Sequence, residues 1–437
     1  MKQPSHLVRT LLLTLFLSIA CNLPQWGDTG GMGGQVGAFR MDSVEIGLVT
    51  CSPHEEIYSL YGHTALRYHD HASGEDLVFN WGVFHAEDNN FVWRFTMGQT
   101  DYELGVAPTH AFCKYYKEWG SQVTEQVLRL TAEEKLHIAQ ALGINLRPEN
   151  RVFRYNVFYD NCATRPRDII VRNLQGTIHY SPATAKNLPQ LGEAGGGFSQ
   201  WGEAGGGFPS FRSMVRTCTA GHPWTTFGND ILLGARADMP TTQHEQQFLP
   251  ANLRHDFDRA TVTRKGSSEP LVSERRELVP PGVQVVEPGF PLTPFACAML
   301  LLAVTLSVSL FEWTRKTATR WFDLLLMSVT GLAGCILTLM LFSEHPTTST
   351  NLQVLLLNPL PLLFLWPVIR GRKTHFFTIW LVLALLFLVG GLWQSYAEGM
   401  YVVAASILLR AIMHKFISPL TIGKLPQDGG RKEGFHH

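Results

Sequence analysis

Cysteine is sparse in this chain and follows no spacing pattern. The seven cysteines among 437 residues include no C-x-x-C pair, so neither a structural zinc site nor a disulfide-rich scaffold is indicated. The formal net charge is zero, and nothing in the composition points to a nucleic-acid partner. We therefore expect no metal site, no cofactor and no nucleic-acid binding.

Charged residues are scarce in the last third of the chain. From about 291 to 412 the sequence is mostly Leu, Val, Phe, Ala and Met, in blocks of about 20 residues, which is long enough to cross a bilayer. We predict five membrane spans, at about 294–313, 322–342, 352–369, 376–393 and 401–413. Pro359, Pro361 and Pro367 predict that the third span is kinked or partly re-entrant.

Basic residues are missing from two of the loops between these spans. They follow the first, third and fifth spans, whereas 343–350 and 394–400 contain none. By the positive-inside rule, the soluble part lies outside the cytoplasm and the C-terminus inside. A basic start and the apolar run 11–20 independently predict a secretory signal. Cys21 follows this run as in a lipoprotein signal, but Ser18 stands where Leu is usual, so lipidation of Cys21 is left open.

These observations divide the chain into six parts: a signal peptide at 1–21, a Gly-rich linker at 22–42, a soluble domain at 43–265, a second linker at 266–291, an all-α transmembrane domain at 292–415 and a cytoplasmic tail at 416–437. Hydrophobic membrane-spanning helices of this kind belong to the inner membrane, so we predict that location.

The soluble part reads as an α+β domain. Strands are predicted at 44–50, 63–68, 77–84, 91–96, 102–106 and 122–130. Thr131 and Glu134 form a capping box that predicts the start of a helix. The segment Gly-Glu-Ala-Gly-Gly-Gly-Phe occurs at 192–198 and again at 202–208, which predicts a mobile loop rather than a repeat fold.

Cys162 is the candidate nucleophile. It lies between an aromatic run and a segment whose apolar spacing predicts a helix with Pro166 in its first turn. Main-chain amides and the positive end of the helix dipole favour a thiolate at such a position. The alternative is a small buried hydrophobe, but the polar neighbours of Cys162 argue against an apolar pocket. Two of Cys51, Cys113 and Cys218 could pair in an exported domain, leaving Cys162 as the odd soluble thiol.

A nucleophilic cysteine needs a base, and His63 is the candidate. It opens a predicted strand, and Asn80 on the return strand is expected near it as the residue that orients the imidazole. Taken alone, His63 would be read as a core histidine and Asn80 as an ordinary strand residue. The pairing with Cys162 makes the catalytic interpretation the better one.

We expect Tyr61, Asn161, Arg165 and Arg167 to bind the substrate. Arginine suits phosphate recognition, although Arg165 and Arg167 could instead pair with Asp160 and Asp168 on a helix surface.

Several of these stretches resemble the Lnb N-terminal periplasmic domain family. They are Tyr-Gly-His-Thr-Ala-Leu-Arg at 61–67, Phe-Asn-Trp-Gly-Val-Phe at 79–84, Pro-Glu-Asn-Arg at 148–151 and Asp-Asn-Cys-Ala-Thr-Arg-Pro-Arg-Asp-Ile-Ile at 160–170. The segments 228–234 and 247–250 and the multi-span tail resemble the full-length members of that family. Trp81, His85 and the doubled glycine loop depart from its usual pattern.

The resemblance implies an acyltransferase that acylates the amino group of diacylglyceryl-cysteine lipoproteins. The His-before-Cys order is also similar to circularly permuted papain-like (NlpC-type) folds, some of which move acyl chains through a cysteine thioester. The expected partners are therefore a phospholipid acyl donor, a diacylated lipoprotein acceptor and the membrane. Two alternatives stay open: an envelope cysteine hydrolase acting on peptidoglycan or phospholipid, and an inert papain-like domain in an assembly or sensor protein.

Overall fold

The computed structural model describes residues 41–84, 90–181, 208–284, 289–372 and 374–417. The predicted signal peptide, Cys21, almost all of the first linker, His85, the doubled glycine loop and the end of the tail lie outside these residues. The chain forms two compact units. One comprises the chain up to Pro291 together with Phe342–Thr350, and the other comprises Leu292–Leu341 with the chain from Asn351 onward.

Ten strands occur in the described part of the first unit: β1 (Val44–Cys51), β2 (His63–Asp70), β3 (Glu75–Val83), β4 (Asp101–Pro108), β5 (Val123–Leu128), β6 (Val152–Arg154), β7 (Thr177–His179), β8 (Thr261–Arg264), β9 (Ser267–Pro270) and β10 (Val272–Val279). Seven of them form one antiparallel sheet in the order β10-β5-β1-β2-β3-β4-β6, and β7, β8 and β9 form a second. The predicted α+β class is confirmed for this unit.

Helices of the first unit are mostly short: α1 (Phe91–Thr96), α2 (Thr109–Glu118), α3 (Ala132–Asn145), α4 (Pro148–Arg151), α5 (Thr164–Asn173), α6 (Phe211–Cys218), α7 (Pro223–Leu232), α8 (Gln243–Gln246) and α9 (Pro250–Arg259). The capping box at the start of α3 is confirmed, because Thr131 and Glu134 exchange side-chain to main-chain hydrogen bonds. Helices α3, α5 and α9 contribute Ile138, Ile170 and Phe257 to the largest hydrophobic core.

The strand predicted at 91–96 is wrong, because this segment forms helix α1. Its aromatic residues favour a strand by propensity alone. The Arg94 guanidinium, however, donates to the Gln99 carbonyl and to Asp101. These contacts turn the chain back at Gly98, whose φ of +72° suits glycine. Hydrogen bonds with the residues that directly follow the segment therefore override its strand propensity.

The linker predicted at 266–291 is also corrected, since β9 and β10 lie within it. Strand β10 forms the edge of the large sheet beside β5, with Glu274 opposite Val127. Half of its side chains are exposed, and three of these, Glu274, Arg275 and Glu277, are charged. Such a composition is typical of a linker, but it also suits an edge strand that must not pair with another strand. The soluble domain therefore extends at least to Val279.

A buried arginine organises the part of this unit that follows the glycine loop. Arg212 is 1 % exposed and donates to the carboxylates of Asp230 and Asp238 and to the carbonyls of Leu233 and Gly234. Asp230 and Asp238 therefore have a structural role, because they bind the buried Arg212 guanidinium.

The second unit contains α10 (Pro294–Arg315), α11 (Arg320–Met340), α12 (Leu360–Ile369), α13 (Phe376–Gly390) and α14 (Met400–Ile412). Three stretches, Pro294–Arg315, Arg320–Met340 and Leu352–Ile369, are long and apolar enough to cross a membrane, and Phe376–Gly390 is a shorter apolar helix. The third stretch is interrupted as predicted: a 3₁₀ turn at Leu352–Leu355 precedes Pro359, and α12 begins only at Leu360.

A buried ionic cluster joins three helices of this unit, and no sequence pattern predicted it. The Arg410 guanidinium of α14 forms two hydrogen bonds with Glu312 of α10 and two with Asp323 of α11. His414 Nε2 lies 2.7 Å from the second oxygen of Asp323. Arg410 and Asp323 are fully buried.

The segment Phe342–Thr350 follows α11 but belongs to the first unit. Glu344 accepts a hydrogen bond from Arg154 at 2.9 Å. The carbonyls of Thr347 and Thr350 accept from the amides of Gly234 and Ala235. This placement agrees with the prediction that the loop after the second span lies on the same side of the membrane as the soluble domain.

Candidate functional site

Cys162 lies two residues before α5, as the sequence predicts. The turn that carries it is fixed by Asn161, whose Oδ1 accepts hydrogen bonds from the amides of Ala163 and Thr164 at 2.8 and 2.9 Å. The Nδ2 of Asn161 donates to the carbonyls of Val157 and Phe248. Asn161 is 3 % exposed, so its carboxamide holds the loop in place and is not available to a substrate.

His63 is the first residue of β2, and Asn80 lies on the neighbouring strand β3. The predicted proximity is confirmed, because His63 Nε2 lies 2.6 Å from Asn80 Oδ1. An amide oxygen can only accept a hydrogen bond, so Nε2 carries the proton and Nδ1 keeps its lone pair. The ring of Tyr116 is parallel to the imidazole, with centroids 6.3 Å apart.

One cavity brings together five of the seven predicted site residues: Tyr61, His63, Asn80, Asn161 and Cys162. The sulfur of Cys162 accepts from the main-chain amide of Thr64 and from its own. Because Thr64 directly follows His63, the thiol is held beside the first residues of β2. The Tyr61 hydroxyl accepts from Asn229 at 3.0 Å, which fixes this side chain in the wall.

The structure does not bring Arg165 and Arg167 to the cavity. Arg165 forms a two-point ion pair with Asp160, at 2.6 and 2.8 Å, and its guanidinium lies over the Phe153 ring. Arg167 is 4 % exposed and donates to Asp168 and to the His244 carbonyl. Both arginines form the ion pairs, with Asp160 and Asp168, that the sequence offered as the alternative to substrate binding.

The acid–base state of the site is set mainly by burial. Burial raises the pKa of the Cys162 thiol to about 11, against the opposing effect of the two amides that donate to the sulfur. Burial lowers the pKa of His63 to about 4, while the hydrogen bond with Asn80 acts in the opposite direction. At neutral pH the pair is therefore a thiol and a neutral imidazole. The helix-start preference for a thiolate does not prevail here, because Asn161 already occupies the amides of Ala163 and Thr164.

Much of the cavity wall consists of Tyr, Trp and Phe side chains, and eight of these residues were not among the predicted site residues. They include Tyr58, Trp81, Phe84, Tyr102, Tyr115, Tyr116, Tyr155 and Phe248. The aromatic run before Cys162 contains Tyr155, and the motif around Asn80 contains Trp81, so proximity in sequence to the two motifs could have indicated both.

The described cysteines are all free, so none of the suggested pairs of Cys51, Cys113 and Cys218 is formed. One group of metal-ligating side chains occurs among the described residues, Glu45 with His69 and His71. Both oxygens of Glu45 accept hydrogen bonds from Arg276, so this carboxylate already has a cationic partner.

Two family models match the chain. The Lnb N-terminal periplasmic domain matches residues 36–190, and the Lnb transmembrane domain matches residues 286–419. The chain belongs to the Lnb family. The first match includes Cys162, His63 and Asn80, and the two matches follow each other in the order that the sequence analysis expects.

As a family member the chain is a lipoprotein N-acyltransferase of the Lnb type, with a periplasmic N-terminal domain and a transmembrane domain. A search of the curated proteins found no match, and neither did a search of the solved structures. The circularly permuted papain-like fold therefore stays a prediction.

Proposed function

We propose that this protein moves an acyl chain from a membrane phospholipid, through a thioester on Cys162, to the N-terminal amine of a diacylglyceryl-cysteine lipoprotein. The catalytic residues in this proposal are Cys162 as nucleophile, His63 as base and Asn80 as the residue that orients the base. The enzyme would act from the inner membrane, with its catalytic domain in the periplasm.

In the first half of the reaction, His63 Nδ1 takes the thiol proton as the sulfur attacks the ester carbonyl of the phospholipid. A C–S bond forms and the C–O bond to glycerol breaks. The imidazolium returns its proton to the departing oxygen, which leaves as the hydroxyl of a lysophospholipid. A neutral histidine beside a neutral thiol suits this coupled transfer, because the base is free to accept the proton.

In the second half, the lipoprotein amine attacks the thioester carbonyl. A C–N bond forms, the C–S bond breaks, and the amine proton passes through His63 to the sulfur. The product is an amide at the lipoprotein N-terminus and a regenerated thiol. Both substrates are lipids anchored in a bilayer, and the chain's own membrane domain keeps the enzyme in the same membrane.

The observation that carries this proposal is the shared cavity of Cys162 and His63, with Asn80 bonded to the imidazole. A thiol, a base and an orienting acceptor are the minimum for nucleophilic acyl transfer. The membership in the Lnb family supports the acceptor and the membrane setting, whereas a wall peptidase would need only a single anchor.

The deciding experiment measures the mass of a model diacylated lipopeptide after incubation with phospholipid vesicles and the purified full chain. We expect a gain of one acyl chain on the amino terminus, no gain with Cys162→Ala, and a thioester-linked acyl group on Cys162 when the lipopeptide is omitted. Cys335→Ala is a matched control, because this exposed cysteine lies in the other unit and should leave the transfer unchanged.

Other outcomes would contradict the proposal. Transfer that persists in Cys162→Ala would exclude the cysteine as the acyl carrier. Release of fatty acid from the vesicles without acylation of the lipopeptide would indicate the envelope hydrolase instead.

A further inference from the structure

Attack on an ester carbonyl places negative charge on its oxygen. Hydrogen-bond donors must already be positioned in the site to stabilise that charge. The amides at the start of α5 are the expected source, but they are occupied. Those of Ala163 and Thr164 donate to Asn161 Oδ1, and that of Arg165 donates to the Asn161 carbonyl. The donors must therefore come largely from elsewhere in the cavity.

The wall of the cavity contains three side chains whose donor groups have no partner among the described residues. Trp81 is completely buried, and its Nε1 makes no hydrogen bond. An unpaired indole N–H in a protein interior costs free energy unless something fills the place beside it. The hydroxyls of Tyr102 and Tyr155 likewise make no hydrogen bond with another described side chain or main-chain group.

Tyr102 and Tyr155 form a stacked pair in the wall of the cavity that contains Cys162. Tyr102 lies on β4 and Tyr155 directly follows β6. Their rings stack with centroids 4.1 Å apart. Burial, with a further contribution from the nearby Cys162, raises the pKa of both hydroxyls. Both side chains are therefore protonated, and able to donate, throughout the neutral range. Other cavity tyrosines are already engaged: the Tyr61 hydroxyl binds Asn229, and the Tyr116 hydroxyl bonds with Cys51.

We propose that Trp81, Tyr102 and Tyr155 form the site that holds the acyl carbonyl oxygen while Cys162 attacks it. This inference rests on the proposed acyl transfer and names residues that would touch the reacting atoms. As the C–S bond forms, the carbonyl π electrons move to oxygen, which accepts hydrogen bonds from these side chains. When the C–O bond to the leaving alcohol breaks, the carbonyl re-forms, and the hydrogen bonds to its oxygen weaken because the negative charge is lost.

The test compares two reactions of the same thiol in the full chain. Acylation of Cys162 by p-nitrophenyl butyrate creates an oxyanion. This reaction is monitored by the burst of p-nitrophenolate and by the mass of the Cys162 peptide. Alkylation of Cys162 by iodoacetamide needs the thiolate but develops no charge on a carbonyl oxygen. A residue that merely supports the fold should change both rates together, whereas an oxyanion donor should change only the first.

We expect Tyr102→Phe, Tyr155→Phe or both to lower the acylation rate about 10²-fold, as for loss of one oxyanion donor, with alkylation within about twofold of the unmodified protein. Trp81→Phe should do the same, but its core position makes the two tyrosine variants the primary test. Tyr159→Phe is the matched control, because this exposed tyrosine does not line the cavity.

The assignment is overturned if neither tyrosine variant slows acylation by tenfold, or if alkylation falls in parallel with it. Failure of the unmodified protein to form any acyl-cysteine is a different result, since it would refute the proposed thioester chemistry itself.

Discussion

The Nε2 atom of His63 lies 2.6 Å from Oδ1 of Asn80 on the adjacent strand. The antiparallel pairing of β2 with β3, in which Leu66 lies opposite Phe79, brings together two residues that are 17 positions apart in sequence. This hydrogen bond fixes the tautomer and the plane of the imidazole. The nitrogen that remains, Nδ1, is the one able to take a proton from a thiol.

Replacing Asn80 should therefore weaken catalysis without unfolding the domain. We expect Asn80→Ala to lower acyl transfer by about 10- to 10²-fold, which is less than loss of the general base itself would cost. Asn80→Asp keeps an oxygen acceptor and should retain more activity than Asn80→Ala. The measurement is the rate of lipopeptide acylation, with Asn145→Ala on α3 as the control. Equal rates for Asn80→Ala and the unmodified protein would remove Asn80 from the mechanism.

Gly82 leaves room for this hydrogen-bonded pair. A Cβ atom at this position would lie 2.8 Å from His63 Cε1 and 3.0 Å from Asn80 Oδ1. We expect Gly82→Ala to displace the imidazole and reduce acyl transfer by at least tenfold, with a comparatively small change in melting temperature. Gly143→Ala is the matched control, because nothing lies within 4 Å of the added carbon and alanine favours the helix by about 0.5–1 kcal/mol. Full activity in Gly82→Ala would show that the pair tolerates movement.

The reactivity of Cys162 should depend on pH as that of an ordinary buried thiol does. Its pKa of about 11 means that the thiolate fraction rises about tenfold per pH unit between pH 7 and 9. His63, with a pKa of about 4, stays neutral over this range. Iodoacetamide alkylation, followed by the mass of the Cys162 peptide, should increase accordingly. A rate that is flat from pH 6 to 9 would instead indicate a preformed thiolate–imidazolium pair.

A buried histidine outside the proposed dyad should make the fold sensitive to acid. His54 is 4 % exposed, stacks on Trp119 and has its pKa lowered by burial from 6.5 to about 4. Between these two values the unfolded chain binds more protons than the folded one, so the free energy of unfolding falls as the pH decreases through this window.

His54→Phe keeps a stacked ring but cannot be protonated. Between pH 7 and pH 5, the free energy of unfolding of this variant should fall by roughly 1–2 kcal/mol less than that of the unmodified protein. Melting temperatures of the full chain in detergent, compared with those of His110→Phe at an exposed position, provide the measurement. An unchanged pH dependence in His54→Phe would mean that other groups cause the loss.

The ionic cluster of the membrane unit should be essential for its stability. Arg410→Leu leaves the carboxylates of Glu312 and Asp323 buried without their guanidinium partner, at a cost of about 3–5 kcal/mol. The double variant Glu312→Leu with Arg410→Leu leaves Asp323 paired with His414 and should recover part of the loss. Melting temperature and the monodisperse fraction in detergent report both effects. Arg372→Leu, at an exposed position, is the control, and an Arg410→Leu variant as stable as the control would contradict the argument.

Local patterns predicted much of the fold and part of the site. The first strands, the α3 capping box, the interrupted third span and the closeness of His63 and Asn80 all follow from residues that are near one another in sequence. Two segments were predicted wrongly because contacts outside the segment itself decide their state. Strand β10 exists because β5 offers it an edge, and α1 is held by contacts of Arg94 with the chain that follows.

The site residues divide in the same way. Cys162 and His63 stand in motifs that carry their own chemical signal. Arg165 and Arg167 share the Cys162 motif, yet salt bridges and main-chain contacts direct them away from the cavity. The pKa of the thiol also escaped prediction, because the helix start that would favour a thiolate is capped by Asn161 and the sulfur is buried.

The sequence by itself indicated the family and the apolar stretches of the second unit, and it supplied the candidates for the nucleophile and its base, since each depends on residue identity and short-range spacing. Only the tertiary structure decided which side chains surround the thiol and which charges meet in the membrane unit. Arg410 and Asp323 are 87 positions apart, and no periodicity links Tyr102, Tyr155 and Trp81. Such groupings arise when strands take their register and helices pack. These groupings depend on how the whole chain packs, and the sequence of a single segment does not determine them.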